Sequence, residues 1–262
     1  MQFNNLGPTS SDQYVLRKGM TMTKNETIRK RKSIRKYKPE KLDQETLSRV
    51  QAQIKKLKPL YPTIETHVAV VDKVKRTFGI VAPHYLVIYS EDKEGAYENV
   101  GFMGQQMDLF FSENGLGSCW LGVAKAGKEA EEEIENKGNL IYIICIAFGW
   151  PALPLHRSVG EFRRKSLASV GMGEDPRLEA ARLAPSGVNA QGWFFIAKEG
   201  RIHCYRKDFK GLTRWIRIYS QLSLIDVGIA ICHIAVESED FKFEQVQNPP
   251  QKEGFVYVGT VV

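Results

Sequence analysis

The chain has 262 residues, enough for one large domain or two modest ones with a substantial core. At 43% hydrophobic and 26% charged residues it falls in neither the disordered nor the membrane class. The net charge of +7 is unevenly placed: residues 1–60 carry 15 Lys/Arg against 5 Asp/Glu and the rest 22 against 25, unlike the continuous basic face of a nucleic-acid-tracking protein.

Residues 1–22 are polar and aperiodic and read as a flexible tail. Next comes the densest positive charge of the chain, Arg31-Lys32-Ser33-Ile34-Arg35-Lys36-Tyr37, more than a solvated surface needs, and it implies an anionic partner. An amphipathic helix follows, with Asp43 as N-cap, Glu45 in its first turn and Leu47, Val50, Ile54 and Leu57 on one face; Pro59 and Pro62 end it. His67 to Val71 and Tyr85 to Ser90 read as strands. From Glu98, the residues Val100, Met103, Met107 and Phe110 predict a long helix that stops at Asn114-Gly115.

The segment Gly115-Leu116-Gly117-Ser118-Cys119-Trp120-Leu121-Gly122 is neither a dinucleotide fingerprint, whose third glycine would fall on Trp120, nor a P-loop, which needs Lys-Ser/Thr where Val123-Ala124 stands. On its own it reads as a helix C-cap and tight turn. Leu140 to Gly149 is a continuous apolar run, the pattern of a buried central strand closed by Trp150-Pro151. Pro176 to Leu183 is helical, and Trp193 to Ala197 with Arg201 to Arg206 form a hairpin turning at Glu199-Gly200. Ile218, Leu222, Ile225, Ile229, Cys232 and Val236 line a second long helix; Asp226 and His233 argue against a membrane span. Phe255 to Val262 closes the chain as a strand.

Cys119, Cys145, Cys204 and Cys232 are far apart without Cys-x-x-Cys spacing, the pattern of reduced, buried thiols. His67, His84, His156, His203 and His233 show no ligand spacing, so no metal site is expected. With no apolar h-region after the N-terminus, the expected compartment is the cytoplasm.

Two separated motifs, taken together, resemble the FMN-dependent nitroreductase family: the run Arg31 to Tyr37, matching the family's Arg-x-Ser-x-Arg/Lys, and Ala184-Pro185-Ser186-Gly187-Val188-Asn189-Ala190-Gln191-Gly192-Trp193, matching its Ala-Pro-Ser-x-x-Asn-x-Gln-Pro-Trp loop. Gly117 to Gly122 resembles the segment whose backbone approaches the flavin ring. Ala147 to Pro151, followed by Phe162-Arg163-Arg164-Lys165-Ser166-Leu167, resembles the family's closing motif and basic pair. Two departures stand out. Gly192 replaces the usual proline, and Lys58-Pro59-Leu60-Tyr61-Pro62-Thr63-Ile64 occupies the place where the Ala-Pro-Ser loop should follow the first helix.

Asp226-Val227-Gly228 matches Asn99-Val100-Gly101, and each tripeptide sits on a long helix followed by a strand, which reads as an internal duplication. The expected fold is α+β, a mainly antiparallel sheet flanked by helices, with two pseudo-repeats in one chain: 23–170 as the first half and 171–262 as a second, partial half. Family members are normally dimers with flavins at the interface; here one chain is expected to act as a pseudo-dimer.

The resemblance implies an FMN phosphate held by Arg31, Lys32, Ser33, Arg163 and Arg164, with Arg35 facing flavin N1 and the C2 carbonyl. It places Pro185, Ser186, Asn189 and Gln191 in the loop over the ring, with backbone NH groups near Gly117 and Ser118 facing N5. Trp193 reads as core. The implied activity is ping-pong hydride transfer from NADH or NADPH through FMN to a small-molecule acceptor such as a nitroaromatic or quinone. No nucleophile or general base is needed, and Ala-Pro-Ser-Gly is not a Gly-x-Ser-x-Gly elbow. Two alternatives stay open: flavin storage, sensing or degradation without turnover, and nucleic-acid binding through Arg29 to Lys38, which predicts steep salt dependence and no chromophore.

Overall fold

The computed structural model describes residues 22–132, 138–210 and 214–262, so the expected tail lies almost wholly outside the described residues. α1 (Lys24–Ile28) is one short turn closed by a capping box, with Thr23 accepting from Glu26 N and Glu26 answering at Thr23 N. α2 (Gln44–Ile54) starts at Asp43 as expected, its Oδ1 accepting from Thr46 N at 2.7 Å. There follow β1 (Thr66–Val71), β2 (His84–Ser90), α3 (Ala96–Glu113), β3 (Gly117–Leu121), α4 (Lys128–Glu132) and β4 (Ile141–Gly149). The rest of the chain forms α5 (Leu167–Val170), β5 (Gly171–Met172), α6 (Arg177–Leu183), β6 (Trp193–Lys198), β7 (Arg201–Lys207), α7 (Arg214–Val236), β8 (Phe243–Glu244) and β9 (Phe255–Val261). β6 and β7 turn at Glu199-Gly200, at φ 53° and 74°, the left-handed pair that suits a two-residue hairpin.

The strands form two sheets rather than the one expected, ordered β1-β2-β4-β3 and β5-β6-β7-β9-β8, antiparallel except at β5–β6. Periodicity identifies strands but does not say which ones pair. Gly117 to Leu121, expected as a turn, is strand β3, because its backbone completes the ladder with β4. Apart from β5, both sheets have the same connection order. The likeness extends to irregularities: β2 is bulged after Ile88, which faces Val68, and β7 after Cys204, which faces Phe195. The offset along the chain from Val68 to Phe195 equals that from Asn99 to Asp226.

β2 is buried at every position, and one continuous core joins residues of both sheets and both long helices, among them Ile88, Phe111, Phe148, Trp193, Phe195 and Ile231. Each such side chain contributes about 1.5–3 kcal/mol of burial. Phe111 stacks on Phe148 with centroids 4.4 Å apart. α7 contains a stretch, Ile218–Val236, long and apolar enough to cross a membrane by length and composition, but here it packs along α3 inside the fold. All four cysteines are buried and unpaired.

Candidate functional site

The basic run leaves α1 and lies extended across the edge of β3. Ile34 N donates to Ser118 O at 2.8 Å, and Tyr37 Oη donates to Ile34 O at 2.6 Å. Ile34 covers Gly117, where an added Cβ would stand 2.8 Å from Ile34 Cβ. The room over this glycine is therefore used by the basic run itself. Ser118 is engaged at both ends, its carbonyl by Ile34 and its hydroxyl by Asp108 at 2.6 Å.

Arg31 is 1% exposed, and its Nε pairs with the fully buried Asp108 at 2.8 Å. Gln105 Nε2 donates to Asp108 Oδ2 at 2.9 Å and lies 3.1 Å from His233 Nε2, while His233 Nδ1 is 2.9 Å from Ala180 O. This network assigns the His233 proton to Nδ1, and burial holds its pKa down at about 3, so the ring is neutral. Arg31 Nη2 reaches Ser33 Oγ at 3.4 Å; Nη1 is buried with no hydrogen-bond partner among the described residues.

Two more arginines close on this point. Arg157 Nε donates to Arg31 O at 3.2 Å, and its guanidinium lies 3.8 Å above the Phe162 ring; Arg164 approaches the same ring at 5.6 Å. Burial first, and the neighbouring Arg31 second, push Arg157 down to about 10 and Arg164 to about 9. Half-buried guanidiniums depressed by burial and by one another form a charge cluster that an anion stabilises. Arg163, by contrast, is exposed.

Segment 163–165 and the Ala-Pro-Ser loop are tied together. Arg164 Nη1 donates to Asn189 Oδ1 at 2.6 Å, Asn189 Nδ2 to Arg163 O at 2.7 Å, and Lys165 N to Gln191 Oε1 at 2.7 Å. Within the loop, Gln191 N donates to Ser186 Oγ at 2.9 Å. Asn189 and Gln191 thus shape the loop and hold Arg164. Three residues without a glycine's freedom take left-handed backbone here, Val188 at φ 46°, Asn189 at 58° and Gln191 at 48°, a concentration of strain typical of functional loops.

Between the run and the loop is a cavity of about 130 Å³, lined by Ser33, Arg35, Cys119, Trp120, Pro185, Ser186 and the α7 face from Leu222 to Ile229. A wider cavity of about 580 Å³ adjoins it, sharing Gly122, Leu222 and Ile225. The fold thus brings Ser33 and Arg35 together with Pro185 and Ser186, and Arg164 with Asn189; Arg31, Gly117 and Ser118 are buried and do not line the cavity. Lys32 and Arg163 do not line the cavity.

Sequence reasoning missed Asp108, Gln105, His233, Arg157 and Asp226. Arg157, in His156-Arg157-Ser158, carried a readable signal as a further cation near the basic pair. The others sit on helix faces, where a lone polar residue does not reveal what it meets.

Fold and site together define a nitroreductase-like α+β protein. Residues 24–238, most of the chain, match the family model described as "Putative TM nitroreductase", and the chain belongs to that family. It is similar in fold to a crystal structure described as a putative nitroreductase from Thermotoga maritima MSB8, at 19% identity and TM-score 0.62, over 95% of this chain and 97% of that one. Two further structures align over about half of this chain. One is a nitroreductase family protein from Clostridium difficile 630 (19% identity, TM-score 0.44, 56% of this chain and 96% of that one). The other is an FMN-dependent nitroreductase from Clostridium difficile R20291 (22%, 0.41, 52% and 93%). Comparison with curated proteins finds no match.

Proposed function

We propose that the chain is an FMN-dependent NAD(P)H oxidoreductase that passes hydride equivalents to a small acceptor such as a quinone or nitroaromatic. The observation that carries this reading is the arginine cluster: Arg31, Arg157 and Arg164 converge, Arg31 Nη1 is a buried donor with no hydrogen-bond partner among the described residues, and the pKa values of Arg157 and Arg164 fall. Such a cluster suits the phosphate of FMN.

In this reading Arg31, Arg157 and Arg164 hold the phosphate, with Ser33 and Lys32 as nearer and farther donors, and Arg163 adds outer positive potential. Asp108 fixes the Arg31 guanidinium through Nε and leaves Nη1 as a donor to the phosphate. Arg35 stands at the cavity wall, where a permanent cation stabilises negative charge accumulating on a reduced ring. Pro185, Ser186 and Gly187 close the opposite wall, while the wider cavity offers the acceptor an approach. The bound cofactor supplies the hydride relay; the protein supplies position and electrostatics.

We read the chain as an internally duplicated pseudo-dimer acting as a monomer, its first half giving the basic run and its second the loop. One FMN per chain follows. The counterpart of the loop, Pro59-Leu60, borders a different cleft of about 950 Å³ in which Phe241 stacks on Phe102 with centroids 5.4 Å apart, and among the described residues no arginine lines it. The test is flavin content and NAD(P)H oxidation by the holoprotein. Stoichiometric FMN without oxidation would favour the storage or sensing alternative, and neither flavin nor oxidation would remove the reading.

A further inference from the structure

Asn99 on α3 and Asp226 on α7 open the two matching tripeptides and do the same structural work. Asn99 Oδ1 accepts Leu60 N at 2.7 Å and Tyr61 N at 3.0 Å, and Asp226 Oδ1 accepts Gly187 N at 2.9 Å. The offset along the chain from Leu60 to Gly187 equals that from Asn99 to Asp226. Each side chain ties a loop to its helix. A neutral amide suffices in the first half, so the tether does not require an ionisable group.

At Asp226 the amide is replaced by a carboxyl that is 8% exposed and faces the same cavity as Ser33, Arg35 and Ser186. It makes no ion pair among the described residues. The other charged or titratable groups facing it are Arg35 from the basic run and Cys119 from β3, while the loop 185–188 brings none. From α3, Glu98 stands where the helices cross, its carbonyl packed against Gly228. Burial pushes the Asp226 carboxyl up to about 7, opposed by the Gly187 NH, so it holds its proton under mildly acidic conditions and can release it near neutrality.

We propose that Asp226 is the proton donor of this cleft, completing the reduction of an acceptor that has received a hydride. The inference rests on the oxidoreductase reading above. A quinone that gains a hydride, supplied by the nicotinamide through the bound cofactor, becomes a hydroquinone monoanion. The carboxyl O–H of Asp226 breaks as the second hydroquinone O–H forms, and water at the cavity mouth reprotonates the carboxylate. Asp226 loses and regains one proton per turnover and no electrons.

The test compares wild type with Asp226→Asn, which keeps a tethering oxygen as Asn99 does. Flavin content is measured first, then anaerobic reduction by NADH or NADPH, then reoxidation by p-benzoquinone and, separately, by ferricyanide, which takes electrons without a proton. The expected variant retains FMN, reduction and ferricyanide reoxidation within about twofold but loses about a hundredfold in quinone reoxidation near pH 6. The wild-type decline of quinone reoxidation above about pH 7 should vanish in the variant. Equal losses with both oxidants, or none with quinone, overturn the proposal while leaving the oxidoreductase reading intact. Absence of flavin from both proteins overturns both. A readout without cofactor is the infrared difference spectrum of the two apoproteins: a protonated-carboxyl band that fades between about pH 6 and 8 is expected, and its absence contradicts the assignment.

Discussion

Gly101 and Gly228 form a reciprocal contact where α3 crosses α7. An added Cβ on Gly101 would lie 2.1 Å from Ile225 O, and one on Gly228 2.0 Å from Glu98 O. Each glycine meets the carbonyl three residues before the other, the self-complementary pattern of a two-fold interface, here within one chain.

Because the obstructing atoms are backbone, a methyl group at either glycine must separate the helices. Gly101→Ala and Gly228→Ala should each lower unfolding free energy by about 3 kcal/mol or more, measured by urea denaturation. A loss under about 1 kcal/mol at either site would show that the helices part easily.

Arg157→Gln should weaken FMN binding by about 10- to 100-fold, the worth of one charge-assisted bond, read by fluorescence titration. Asn189→Ala should cost about tenfold, since it removes the acceptor 2.6 Å from Arg164 Nη1. Unchanged affinity in Asn189→Ala would mean that Arg164 keeps its place without the loop.

Val188 is 95% exposed with φ 46°, a conformation that a β-branched residue resists. Val188→Asn should raise stability by about 1 kcal/mol, seen as a higher Tm. Slower turnover in this variant would indicate that the strain serves loop positioning.

Two buried groups give stability opposite pH dependences. Asp226, raised from 3.8 to about 7, binds its proton more tightly in the fold; its contribution is complete below pH 3.8 and lost as pH rises through 7. Asp226→Asn should therefore stabilise the protein by a few kcal/mol at pH 8 and little at pH 4. His233, lowered from 6.5 to about 3, favours the fold when neutral, so its contribution is present above 6.5 and lost as pH falls toward 3. In the wild type the two slopes oppose each other between pH 6 and 4, so the histidine is read in Asp226→Asn: urea-denaturation stability of that variant that does not fall over this range would contradict the buried, neutral assignment of His233.

Much of this was legible in the sequence. The Asn99-Val100-Gly101 and Asp226-Val227-Gly228 match marks the helix crossing, and the boundaries of β2, β4, α6 and the β6–β7 hairpin follow from periodicity and turn residues. The Thr23-x-x-Glu26 capping box was present but unread. Long-range pairing was not legible. The run announces Arg31 as a cation, but only the packed fold shows that Asp108 on α3 neutralises part of it and that Arg157 replaces the exposed Arg163 in the cluster. Gly117 looked like room for a ligand because a sequence cannot show that Ile34 fills it.

The most direct measurement is the visible absorbance spectrum of the purified protein, followed by denaturation and quantitation of flavin released per chain. The account predicts about one FMN per chain, since among the described residues the arginine cluster stands beside the cleft of Ser33, Arg35 and Ser186 and not at the cleft bordered by Pro59-Leu60. A protein that stays colourless after incubation with excess FMN would contradict it, leaving the cluster to a different anion.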